Sequence, residues 1–112
     1  MYSPPPEPIL ASVQTVDGCR CEFYWVYETP EGSGAKVVKT DQYGMRWTLE
    51  VPSTHFVTQS VAAGLLGVTV VTVNKWVREG VFGPPLWRRG VSIIPTTEVQ
   101  RVAEKRGMNT GR

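Results

Sequence analysis

At 112 residues the chain has the length of one domain, or one and a half, and can bury a core of its own. Its hydrophobic, charged and aromatic fractions of 41%, 20% and 10% are ordinary for a globular protein and by themselves name no class. The formal charge of +2 is uneven along the chain. Residues 1–52 carry Arg20, Lys36, Lys39 and Arg46 against Glu7, Asp17, Glu22, Glu28, Glu31, Asp41 and Glu50, a net −3. Residues 53–112 carry Lys75, Arg78, Arg88, Arg89, Arg101, Lys105, Arg106 and Arg112 against Glu79, Glu98 and Glu104, a net +5. Such a division suits a chain of which one half meets a polyanion. Part of it is also what a solvated helix end provides, since Arg101, Lys105 and Arg106 sit where cations suit the helix dipole.

Two cysteines, Cys19 and Cys21, fall on one face of a strand at a spacing that rarely closes a disulfide. They read as small buried hydrophobes in a reducing compartment. No basic stretch followed by an apolar run opens the chain, so no signal peptide is expected. The longest largely apolar stretch, residues 61–73, is short and broken by glycine and threonine, so no membrane span is expected either. The expected location is cytoplasmic.

In chain order, residues 1–8 form a proline-rich, extended leader. From Ile9 to Val51 the pattern has period two. Asp17-Gly18 is a strong two-residue hairpin signal, and in residues 19–28 Cys19, Cys21, Phe23, Trp25 and Tyr27 alternate with Arg20, Glu22, Tyr24, Val26 and Glu28. A loop over residues 29–35 precedes a short third strand, 36–40. A fourth strand, 45–51, places Met45, Trp47, Leu49 and Val51 on one face. These residues, 9–52, make an antiparallel β-meander with one apolar face. A meander this small cannot form a two-layered core alone, so that face must cover the C-terminal half or a second copy of itself.

The period then changes to 3.6 over residues 53–107, leaving 108–112 as a tail. Thr58 caps a helix to about Leu66 with Val61, Ala62, Leu65 and Leu66 inward, and Gly67 ends it in the left-handed conformation. Thr69 caps a second helix to Glu79, closed by Gly80; Pro84-Pro85 blocks continuation. Leu86 to Ile94 reads as a hairpin turning at Arg89-Gly90, and Pro95-Thr96-Thr97 opens a last helix with Val99, Val102 and Ala103 inward.

Two helices joined by a glycine-containing turn have the spacing of a helix-turn-helix. On the second helix Val73, Trp76 and Val77 cluster inward with Thr69, while Val71, Asn74, Lys75 and Arg78 fall opposite. Asparagine pairs bidentately with adenine, arginine or lysine with guanine, and valine touches a thymine methyl. A plain amphipathic surface helix has the same wheel. The downstream hairpin favours a nucleic-acid role, because its tip of Arg88, Arg89 and Gly90 combines a tight turn with cations that reach phosphates. Solvated charge at a loop tip is the alternative for those arginines. Trp76 reads as a core anchor, and Trp87 fits either a core or an interface role.

Residues 57–106 resemble the winged helix-turn-helix shared by MerR-type regulators and phage or plasmid excisionases. The resemblance rests on Ala62-Ala63-Gly64-Leu65-Leu66-Gly67-Val68 and on Thr72-Val73-Asn74-Lys75-Trp76-Val77-Arg78-Glu79-Gly80. Downstream, Gly90, Ile94-Pro95 and Glu98-Val99 continue it. It implies a recognition helix over residues 69–78 and a wing over 88–91. The meander lies outside the resemblance; taken with its apolar face, the expected fold is α+β, an N-terminal antiparallel β-meander packed on a C-terminal winged helix-turn-helix. By the resemblance, the DNA-contacting residues would be Thr69, Val71, Thr72, Asn74, Lys75, Arg78, Arg88 and Arg89. Val70 and Val71 depart from the polar or basic residues usual there. Gly64 stands at a surface position usually held by a good helix former, at about 1 kcal/mol relative to alanine, and a close approach of another backbone is one reason for it.

No catalytic constellation is visible. His55 is the single histidine, and with Cys19 and Cys21 it matches no zinc spacing. The expectation is therefore a non-enzymatic, sequence-specific duplex-DNA-binding protein without cofactor or metal, a phage or mobile-element regulator or excisionase. It would pair as a homodimer or cooperative array through the meander. The chain carries no coiled coil or effector domain of the regulator kind, so no small-molecule effector is expected. The competing expectation is a phage packaging, assembly or adaptor protein that uses the winged helix for protein contacts.

Overall fold

The alternating half of the chain folds as four antiparallel strands in sequential order, β1 (Ile9–Val16), β2 (Cys19–Thr29), β3 (Gly32–Thr40) and β4 (Arg46–Pro52). The structure is a computed structural model that describes residues 8–29 and 32–106. Residues 1–7 of the expected leader, Pro30 and Glu31 of the expected loop, Gly107 and the expected tail 108–112 lie outside the described residues. Asp17 and Gly18 both adopt positive φ (51° and 77°), the geometry a two-residue hairpin demands. At the β3–β4 turn the Asp41 carboxylate accepts the N–H groups of Tyr43 and Met45, both at 2.9 Å.

Strand β3 starts at Gly32, earlier than the third strand expected from residue 36. Pairing with β2 at Gly32 and Gly34, and with β4 from Gly34, overrides the weak strand preference of Gly-Ser-Gly, and Gly34 has a specific reason to be there. It lies opposite Pro52, where a Cβ would collide with the Val51 carbonyl oxygen.

After β4 comes a three-residue strand that the sequence pattern did not signal, β5 (Phe56–Thr58), followed by α1 (Gln59–Leu66) and α2 (Val70–Arg78). The hairpin β6 (Leu86–Arg88) and β7 (Val91–Pro95) joins β5 in a second sheet of order β5-β7-β6, and α3 (Thr96–Lys105) closes the described chain. Thr58 and Thr69 cap α1 and α2 as expected, accepting from the N–H groups of Val61 and Thr72. Gly67 takes the left-handed conformation (φ 67°). Across this break the chain turns through 108° between the two helices.

Helix α1 is buried on both flanks and joins the halves. One flank meets α2 and α3 through Leu65, Leu66, Val73, Val77, Val99, Val102 and Ala103. The other rests on β1 and β2. Gly64 is therefore not at the surface. It is buried, and a Cβ there would overlap three atoms spanning the Phe23 ring, so the ring lies face-on beneath the helix. The close neighbour is an aromatic side chain rather than the second backbone that was one expectation. The last carbonyls of a helix lack intrahelical partners, and here the sheet supplies them. Ser12 Oγ donates to the Gly64 carbonyl, and Trp25 Nε1 donates to that of Leu65 at 3.2 Å. One hydrophobic core thus runs from Cys21, Phe23 and Trp25 through α1 to α3 and Phe82.

The meander's apolar face is only partly covered. Register places Phe23, Val37 and Leu49 in one row, with Trp25, Ala35 and Val51 in the next. Phe23, Trp25, Ala35, Val37 and Val51 are buried, but Met45, Trp47 and Leu49 are exposed, because α1 lies over the β1–β2 half.

Candidate functional site

Helix α2 buries Val73 and Val77 and half-buries Trp76, whose ring meets Phe82 edge-on with centroids 6.4 Å apart. The Arg106 guanidinium covers the same indole at 5.1 Å. Trp76 is an anchor of the helix, as its place on the wheel suggests. The opposite side presents Val71, Lys75 and Arg78 to solvent, with Val70 beside them. Thr69 was expected on the inner side but is exposed, because its hydroxyl is spent on capping and on a 3.0 Å contact with the Thr72 hydroxyl.

Asn74 has a different placement from its helical-wheel neighbours. It is half-buried, and its Nδ2 donates to Gln59 Oε1 at 3.3 Å. Gln59 Nε2 in turn donates to the buried Ser92 Oγ at 3.1 Å. This relay runs from α2 through the first residue of α1 to β7, and so links the hairpin to α2 by way of α1. Gln59 and Ser92 had no sequence signal: a polar residue at a helix start and a serine in a strand are ordinary until the fold brings them together.

The β6–β7 hairpin turns at Arg89 and Gly90, with φ of 52° and 77°. The Asp17-Gly18 turn has nearly the same geometry, but there the left-handed residue is an aspartate, which tolerates it, whereas an arginine does not do so readily. Conformational economy does not account for Arg89. Strand alternation divides the hairpin's side chains. Trp87 pairs with Ser92 and shares the face that Ile94 buries against the helices, though Trp87 itself is 64% exposed. Arg88 pairs with Val91 on the other face, in a shallow depression lined by Thr54, His55, Phe56 and Ile93. Of the two arginines, Arg89 is thus at the tip and Arg88 on the face turned from the helices.

Among the described residues only Arg20–Glu22 and Arg101–Glu98 form ion pairs. Lys75, Arg78, Arg88 and Arg89 are exposed and pair with no carboxylate there. Arg101 is committed internally: it also donates to the Val81 carbonyl at 2.6 Å and so ties α3 to the segment after α2. His55 serves through its backbone, its carbonyl accepting from both the N–H and the hydroxyl of Thr96, at 3.0 and 2.7 Å. Burial pushes the Cys21 thiol above its ordinary pKa and so keeps it protonated, whereas Cys19 is half-buried. No three His, Cys, Asp or Glu side chains converge among the described residues. Nor is any single described helix long and apolar enough to cross a membrane. No family model, curated protein or solved structure matches the chain.

Proposed function

We propose that the chain is a small sequence-specific duplex-DNA-binding protein, a winged helix-turn-helix of the regulator or excisionase kind. Helix α2 enters the major groove and the β6–β7 hairpin, as the wing, lies on the backbone. The observation that carries this reading is the common exposure of four unpaired cations, Lys75 and Arg78 on the free side of α2 and Arg88 and Arg89 on the hairpin. Supporting it are the 108° turn between α1 and α2, within the range of DNA-reading helix pairs, and the presence of Arg89 at a left-handed turn position. Val71 is 78% exposed at the start of α2, where an apolar side chain meets thymine methyls. Asn74, held by Gln59, reads adenine only if that hydrogen bond is exchanged.

Binding to a pool of random duplexes, titrated with salt and followed by sequencing of the bound fraction, tests the proposal. A steep fall with salt together with an enriched motif is expected; each phosphate contact contributes about 0.9 to the logarithmic slope. Arg78→Ala should relax the motif, while Arg89→Ala should weaken all sequences alike. Flat, weak binding without enrichment would overturn the proposal in favour of a protein-binding adaptor.

A further inference from the structure

We propose that strand β4 is a self-pairing edge, joining two copies of the chain through an antiparallel β4–β4 ladder with a two-fold axis at Thr48. The inference does not rest on DNA binding and is tested without DNA.

The sheet has two edges, β1 and β4, and they differ. A register shift between Leu10 and Ser12 interrupts β1, and its Ser12 and Gln14 side chains are bonded to carbonyls of α1 and of Val68. Bulges and covering elements are the usual ways of blunting an edge. Strand β4 has neither. Its pairing with β3 is unshifted from Arg46 to Pro52, and the five residues from Arg46 to Glu50 are exposed. Trp47 and Leu49 remain 52% and 55% exposed on the same face as the core. Uncovered, unshifted and carrying two exposed apolar side chains, such an edge is a pairing template for a strand whose charges complement Arg46 and Glu50.

The five residues Arg46-Trp47-Thr48-Leu49-Glu50 are complementary to themselves when reversed. In an antiparallel pair centred on Thr48, Arg46 of each copy faces Glu50 of the other on the outer face. On the inner face Trp47 faces Leu49 twice. Shifting the centre to Trp47 or Leu49 separates the charges. Within one chain neither charge has an ion-pair partner among the described residues, although Glu50 lies beside Lys36 on β3. Directly opposed charges and aromatic–aliphatic neighbours are the pairs that stabilise antiparallel ladders, and a two-fold axis gives each of them twice. That axis runs normal to the sheet, so both helical layers lie on the same side of an eight-stranded sheet. The uncovered inner faces of the two β3–β4 halves then meet at its centre.

Sedimentation equilibrium separates the outcomes. The wild-type chain is expected at twice its 12.4 kDa mass. Arg46→Glu sets two glutamates opposite each other at both ends of the ladder, and Glu50→Arg sets two arginines; each should weaken the dimer about tenfold or more. Glu50→Arg also places a cation beside Lys36, so the single variants alone are not decisive. Mixing the two variants in equal amounts restores opposite charges at both ends, and a heterodimer should form where each variant alone is monomeric. The double variant Arg46→Glu/Glu50→Arg should self-associate again. A wild-type chain that stays monomeric at its highest attainable concentration overturns the proposal. So does a dimer indifferent to the single reversals, or a mixture that fails to recover.

Discussion

Replacing Gly64 with alanine sets two effects of opposite sign against each other. In an exposed helix interior the change stabilises by about 1 kcal/mol, because glycine has more backbone entropy to lose. Here the new methyl would enter the face of the Phe23 ring, which is buried and flanked in register by Val37 and Ser12. Relieving that overlap means displacing either α1 or the ring, and overpacking of this kind costs about 1–3 kcal/mol, at the upper end where a rigid ring must move. Displacing α1 would also stretch the bonds from Ser12 and Trp25 to its last carbonyls, about 1 kcal/mol each. The expected net result is a loss of about 1–2 kcal/mol, or about 1 M in urea midpoint with an unchanged slope. Equilibrium urea unfolding followed by tryptophan fluorescence measures it. Phe23→Leu removes the ring, so the double variant should be more stable than the sum of the single losses by about 1 kcal/mol. A neutral or stabilising Gly64→Ala, or strict additivity with Phe23→Leu, would refute the packing of α1 on the meander.

Three further outcomes are expected. Asn74→Ala and Gln59→Ala should each cost about 0.5–1.5 kcal/mol in thermal or urea unfolding, with strong non-additivity in the pair, since they interrupt one relay to Ser92. Arg89→Asn should raise stability by about 0.5 kcal/mol, because asparagine tolerates φ near 52° better. Under the proposed function the same substitution should lower the salt slope of binding to duplex DNA, so that stability and binding move in opposite directions. With a disulfide reagent at neutral pH, Cys19 should react well ahead of Cys21, whose burial raises its thiol pKa and thins its thiolate. Equal rates for the two cysteines in the folded chain would contradict the placement of β2 against α1.

Much of the local structure was legible in the sequence because short-range chemistry decides it. Thr58 and Thr69 cap helices, Gly67 ends one, and Asp17-Gly18 and Arg89-Gly90 turn hairpins, each through interactions spanning two or three residues. The period-two and period-3.6 patterns likewise separated the α+β fold's sheet from its helices. Contacts between distant residues were not legible. Strand β5 is three residues long and exists because Val57 pairs with Ile94, far along the chain. The glycines of β3 form a strand because β2 pairs with both of them and β4 with Gly34. Trp25 and Trp47 stand on the same face of one sheet with similar surroundings in sequence. One is buried beneath α1 and the other is half exposed, because an eight-residue helix covers only the β1–β2 half. Gly64 reads from sequence as a surface glycine that admits a second backbone, whereas it is buried on the Phe23 ring, and Asn74 reads as a free side chain, whereas Gln59 bonds it. Periodicity says which side of an element is apolar; which part of that side is covered depends on where the neighbouring layer ends, and only the tertiary structure decides that.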